Sequence, residues 1–260
     1  MTAGTLPARR GRMNLWRLEW LRLVRTPRAA ALAIVYVFIG LLEPVTTRYE
    51  NDLLGRVGHV TVRLPPPTPA DGLSAYISEI SLFGLIVVVV LAAGALNFDS
   101  PPGLAVFLRT RVSGVWPLIA PRFAVCAAAA AVAYLLGTMA AWYETAVLIG
   151  PLPAAGMFAG VLCGAVYLTF AVAVTAAAAS LSRATIGIVV ITLGFLLLLP
   201  VAASYHPLSR WLPSTLVTAP VGLVNGTQHL QHFGPALAVA AAASAAAVTV
   251  AVWRLRSRQI

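Results

Sequence analysis

The chain has 260 residues, 60% hydrophobic and only 10% charged, with a formal net charge of +10. Soluble domains carry about 25% charged residues, so this composition excludes an ordinary soluble domain and points to a polytopic membrane protein. All 18 basic residues are arginine, which excludes a P-loop ATPase, because its phosphate-binding loop needs a lysine. In a soluble protein such a charge would point to nucleic acid; here the bilayer decides where the arginines sit, and no nucleic-acid partner is expected.

Residues 1–12 form a basic tail. Arg9-Arg10 matches the start of a twin-arginine signal, but the apolar run begins only near Ala29, too far along for an export signal. Residues 13–27 read differently. At about 100° per residue, Trp16, Trp20, Leu23 and Val24 share one face, opposite Asn14, Arg17, Arg22 and Arg25. Tryptophans opposite arginines predict an amphipathic helix lying in the membrane interface; the plainer alternative is a cytosolic extension of the first span. Thr26-Pro27 is the corner into the bilayer.

Residues 28–260 are read as one six-helix transmembrane domain. Apolar runs near Ala29–Leu42, Tyr76–Leu96, Arg122–Trp142, Met157–Ser180, Ala184–Ser204 and Pro235–Trp253 approach the roughly 20 residues a span needs. The first is short and is interrupted by Glu43-Pro44, so it either continues past a kink or ends there. Leu181-Ser182-Arg183 is a tight turn between the fourth and fifth spans.

With the N-terminus inside, the inner arginines are Arg9, Arg10, Arg12, Arg17, Arg22, Arg25, Arg28, Arg109, Arg111, Arg122, Arg183, Arg254, Arg256 and Arg258, fourteen of the 18. Arg48, Arg56, Arg63 and Arg210 are the four outside. This asymmetry predicts that both termini are cytoplasmic.

Two outer segments are too long for simple turns. Glu43 to Ala75, with Pro65-Pro66-Pro67, reads as an extended, partly irregular loop. Tyr205 to Gly234 alternates Pro207, Pro213 and Pro220 with apolar residues, and predicts a pair of short helices in the outer leaflet.

Little in the chain looks catalytic. No His-Glu-x-x-His helix and no Gly-x-Ser-x-Gly elbow occurs, so an enzyme of these kinds is not expected. His59, His206, His229 and His232 all fall in outer loops. His229 and His232 could share a metal, but no carboxylate or cysteine stands nearby, and no metal or cofactor is expected on this chain. Cys126 and Cys163 lie inside spans, where a cysteine is ordinarily a small apolar residue. Glu79 and Glu144 could carry a proton or touch substrate; a solvated place near the outer interface is the simpler reading. Gly156, Gly160 and Gly164 recur every fourth residue and predict a close helix contact, either between subunits or within the chain.

The inner segment Asn97 to Phe123 contains Gly103 to Thr110, an apolar stretch with a basic end after Pro101-Pro102, read as a short amphipathic helix. Together with six spans, the interfacial helix and the broken segment before the last span, it resembles the membrane subunit of type-2 ABC transporters, exporter permeases with a separately encoded ATPase. Glu19, Arg22, Arg25 and Pro27 match the family's N-terminal pattern; Asp99, Gly103-Leu104, Phe107-Leu108 and Thr110 to Ser113 match its inner-loop pattern. Arg111 stands where that family usually has proline, and Pro121-Arg122 where a Gly-Lys pair is common.

The resemblance implies that Asp99, Gly103, Leu104, Phe107, Leu108, Arg109, Thr110 and Arg111 form a cytoplasmic coupling helix seated in a groove of the ATPase. Residues Trp16, Arg17, Trp20, Arg22 and Arg25 would lie on the connector helix. The implied partners are separate ABC ATPase subunits carrying ATP and magnesium, a second permease copy or a homologous one, the lipid bilayer and a hydrophobic or amphiphilic substrate. The implied function is ATP-driven export of such a compound, drug, lipid or peptide-like, across the cytoplasmic membrane of a bacterium. A non-transporting membrane anchor or sensor subunit is the alternative. An intramembrane enzyme ranks last, for want of an acid/base pair or nucleophile.

Overall fold

A computed structural model describes residues 15–57, 65–97 and 116–257, and all regular structure among them is helical. The helices are α1 (Leu15–Arg25), α2 (Pro27–Val57), α3 (Pro69–Glu79), α4 (Leu85–Leu96), α5 (Trp116–Leu148), α6 (Ala154–Leu181), α7 (Thr185–Ala203), α8 (His206–Ser209), α9 (Ala219–Val224) and α10 (Gly234–Ser257). A π-helical turn, Ile80–Gly84, joins α3 to α4 into one rod. Among the described residues six helices are long and apolar enough to cross a membrane, matching the six runs in the sequence.

The first span is longer than its apolar run. α2 continues through Pro44 to Val57, so the first part of the expected irregular loop after Glu43 is helix. Pro44 brings no N–H for the Gly40 carbonyl one turn back, and just beyond it the hydroxyls of Thr46 and Thr47 both bond back to the Glu43 carbonyl at 2.9 Å. The second span likewise starts early, at Pro69. The Asp71 carboxylate accepts from the Thr68 backbone N–H at 2.8 Å and from its hydroxyl at 2.7 Å, closing the helix start behind a first-turn proline.

The six rods pack around α6, the most buried of them, which meets α4, α5, α7, α9 and α10. α7 is the least buried and turns Ile186, Val190, Leu198 and Val201 outward. α2 runs alongside α5. They cross closely at Gly40 and Gly137: a Cβ on Gly40 would collide with the Gly137 carbonyl oxygen. Several hydroxyls inside the spans bond back to their own helix, as Thr138 does to the Tyr134 carbonyl at 2.8 Å and Thr175 to that of Ala171 at 2.8 Å. Such back-bonding satisfies a polar side chain without a partner helix.

Between α7 and α10 the chain forms four short helical pieces rather than two: α8, Pro213–Leu216, α9 and Leu230–Phe233. Proline opens the first three, because it suits a first turn and cannot extend the preceding helix. Leu216, Ala219 and Phe233 are buried against the bundle.

Candidate functional site

The end of the bundle that carries the start of α2 also carries the end of α4, the start of α5 and the α6–α7 turn. Here α1 is fastened. Glu19, on α1, accepts from Arg122 Nε on α5 at 2.9 Å. Arg122 is 7% exposed and Glu19 19%, so the pair is largely withdrawn from solvent. Arg22 lies on the rim, 3.9 Å from the other Glu19 oxygen. α1 therefore points a carboxylate inward, while Trp16, Arg17, Trp20, Arg22 and Arg25 stay exposed. The amphipathic helix expected at residues 13–27 is present over Leu15–Arg25.

A second fastening lies across the same end. Asn97, just past α4 and 7% exposed, donates through Nδ2 to the Arg183 carbonyl at 3.1 Å and to Thr185 Oγ1 at 3.0 Å. It ties the end of the second span to the turn between α6 and α7. Both flanks of the inner segment are thus held by polar side chains: Asn97 before it and Arg122 after it. The predicted coupling residues Asp99, Gly103, Leu104, Phe107, Leu108, Arg109, Thr110 and Arg111 lie outside the described residues.

Beside the ion pair is a cavity of about 40 Å³ lined by Glu19, Arg22, Thr26, Arg28 and Arg122, with Leu91, Ala95, Val125 and Cys126 as its apolar wall. A second cavity, of about 20 Å³, lies mid-bundle among Tyr36, Ser81, Tyr134 and Tyr167, next to the π turn. Tyr36 is fully buried and its hydroxyl has no hydrogen-bond partner. Its ring tip takes the place a side chain on Gly84 would occupy, and the tip of Tyr134 does the same at Gly164. The Tyr36 and Tyr134 rings meet edge to face, 6.4 Å between centroids.

The glycine stripe is resolved as packing within the chain. A Cβ on Gly156 would stand 2.9 Å from the Leu223 carbonyl oxygen, and one on Gly160 would strike Pro220, so both seat α9 on α6. Gly164 makes room for Tyr134 instead. Glu79 ends α3 and Glu144 lies in α5, both partly exposed. His232 packs edge-on against Phe233, and among the described residues no three His, Cys, Asp or Glu side chains gather as metal ligands.

Sequence reasoning quoted Glu19 and Arg122 separately and missed their pairing. Their opposite charges flanking apolar runs were the available signal. Asn97, a lone amide closing an apolar span, was a second one.

The fold and this membrane-end cluster define a multi-pass, all-α membrane protein. The chain is similar to the uncharacterized transmembrane protein YxlG of Bacillus subtilis (strain 168), 18% identical over 249 residues that cover 94% of this chain and 96% of that protein. No family model and no solved structure matches it.

Proposed function

We propose that the chain is the membrane subunit of an ATP-driven ABC exporter that moves a hydrophobic or amphiphilic compound across the cytoplasmic membrane. The observation that carries this reading is the anchoring on either side of residues 98–115. Arg122 pairs with Glu19 of α1, and Asn97 holds the α6–α7 turn. A push delivered to that segment by a partner ATPase would reach α1 through one anchor and the central helix α6 through the other. Polar contacts with good geometry suit this task, because an alternating-access machine needs a defined mechanical input rather than diffuse packing.

In this reading the arginine-rich end faces the cytoplasm, as the positive-inside distribution favours. Separate ATPase subunits bind ATP and magnesium, and a second permease copy or homologue completes the path. The apolar bundle, with one unpaired Tyr36 hydroxyl in its middle, suits a compound that is mostly apolar with a polar group.

The test is co-purification of cytosolic ATPases with the wild type and with Phe107→Ala/Leu108→Ala. Recovery of an ATPase with the wild type and its loss in the double variant is the expected result. Recovery with neither, in detergents that preserve such complexes, would remove the mechanical basis of the proposal and favour a membrane anchor.

A further inference from the structure

The cavity beside the Glu19–Arg122 pair has a composition that its structural role does not require. Three arginines from three helices line it: Arg22 from α1, Arg28 from α2 and Arg122 from α5. Among the described lining residues one carboxylate, Glu19, stands against them, so three positive charges less one negative give that lining a net charge of +2. Arg122 is 7% exposed and Arg22 48%, so the charge runs from the interior to the surface. Arg28 lies over α4, with one terminal nitrogen 3.7 Å from where a Cβ on Gly94 would stand.

The remaining wall is apolar. Leu91 and Ala95 come from the end of α4, and Val125 and Cys126 from the start of α5. A cationic mouth over an apolar wall, at the end of membrane-spanning helices, matches a molecule with an anionic head and an apolar body. A free phosphate would use the arginines but leave the wall without a counterpart.

We propose that this cavity binds the phosphate headgroup of an anionic phospholipid, with the acyl chains lying along α4 and α5. Basic pockets between membrane helices are general sites for such heads, and guanidinium groups match phosphate oxygens in both charge and fork geometry. A lipid seated here would touch α1, α2, α4 and α5 together, adding to the hold that Glu19 gives Arg122. The site depends only on the membrane placement, not on the ABC reading.

The test uses the full chain purified in zwitterionic detergent, titrated with dioleoylphosphatidylglycerol or dioleoylphosphatidylcholine and followed by native mass spectrometry. Phosphatidylglycerol should bind more tightly than phosphatidylcholine. Arg22→Gln and Arg28→Gln should each weaken it by about fivefold, the equivalent of roughly 1 kcal/mol per arginine. Both side chains lie at the rim, and Arg122, which holds α1, is left intact. Arg210→Gln, just after α8 and well away in sequence from this cavity, should leave binding unchanged. Equal binding of the two lipids, or wild-type affinity in both glutamine variants, would overturn the proposal. Displacement of the lipid by millimolar inorganic phosphate would assign the cavity to free phosphate and overturn the lipid assignment; resistance to it supports the lipid.

Discussion

Glu19 and Arg122 are 103 residues apart in the chain and share a 2.9 Å charged hydrogen bond. It joins the amphipathic helix α1 to the first turns of α5. Removing one member of a buried pair leaves the other charge without compensation, which costs about 3–5 kcal/mol in full burial.

Glu19→Gln and Arg122→Gln are each expected to destabilise the protein by about 2–3 kcal/mol, below the fully buried range because Glu19 keeps contact with solvent. Arg22→Gln, at 3.9 Å on the exposed side, should change stability by less than about 1 kcal/mol. Unfolding by titrated denaturing detergent measures all three. The Glu19→Gln/Arg122→Gln double variant should lose less than the sum of the singles. Strict additivity would show that the pair contributes nothing as a unit.

Gly160 and Gly194 separate packing from helix propensity. A Cβ on Gly160 meets the Pro220 backbone, while nothing lies within 4 Å of one on Gly194. Gly160→Leu should cost about 1–3 kcal/mol by overpacking and expose residues 205–233 to protease. Gly194→Ala should be neutral or stabilising by up to about 1 kcal/mol, since alanine favours a helix over glycine. Proteolysis of reconstituted protein, together with its thermal unfolding, reads both outcomes. An unchanged cleavage pattern in Gly160→Leu would mean that α9 does not depend on this contact.

Two buried tyrosines should respond in opposite directions. The Tyr36 hydroxyl has no partner, whereas that of Tyr76 meets Thr138 Oγ1 at 3.4 Å. Removing an unpaired buried hydroxyl relieves a desolvation penalty, so Tyr36→Phe should be neutral or stabilising by about 1 kcal/mol. Tyr76→Phe should cost roughly 0.5–1 kcal/mol, small because the bond is long. Comparing their melting temperatures is the check; an equal loss in both would show that Tyr36 is bonded in the membrane.

The extent of the spans was only partly legible. Four of the six apolar runs lie within helices that extend beyond them by a few residues at one or both ends, the fifth, Ala184–Ser204, outruns its helix Thr185–Ala203 by one residue at each end, and α1 appears where tryptophans and arginines divide between two faces. Apolar length stopped at Glu43-Pro44, yet α2 continues to Val57, because a helix rests on local backbone hydrogen bonds that polar residues sustain where hydrophobicity falls. The π turn at Ile80–Gly84 left no mark in the apolar pattern. It sits where Gly84 yields to the tip of Tyr36, a contact with a residue more than forty positions earlier.

The candidate site divides in the same way. The sequence by itself determined that the chain is an α-helical membrane protein with six apolar helices and an amphipathic N-terminal helix. These follow from local quantities, apolar length and charge position, which any short window of residues carries. Only the tertiary structure decided that Glu19 meets Arg122, that Asn97 holds the α6–α7 turn, and that the stripe of Gly156, Gly160 and Gly164 is filled by Leu223, Pro220 and Tyr134 of the same chain. Those pairings join distant positions, and many partners of the same chemistry were available to each. Which one is met depends on how the six rods pack, because in a bilayer close packing and buried polar contacts, rather than hydrophobicity, choose one helix arrangement over another.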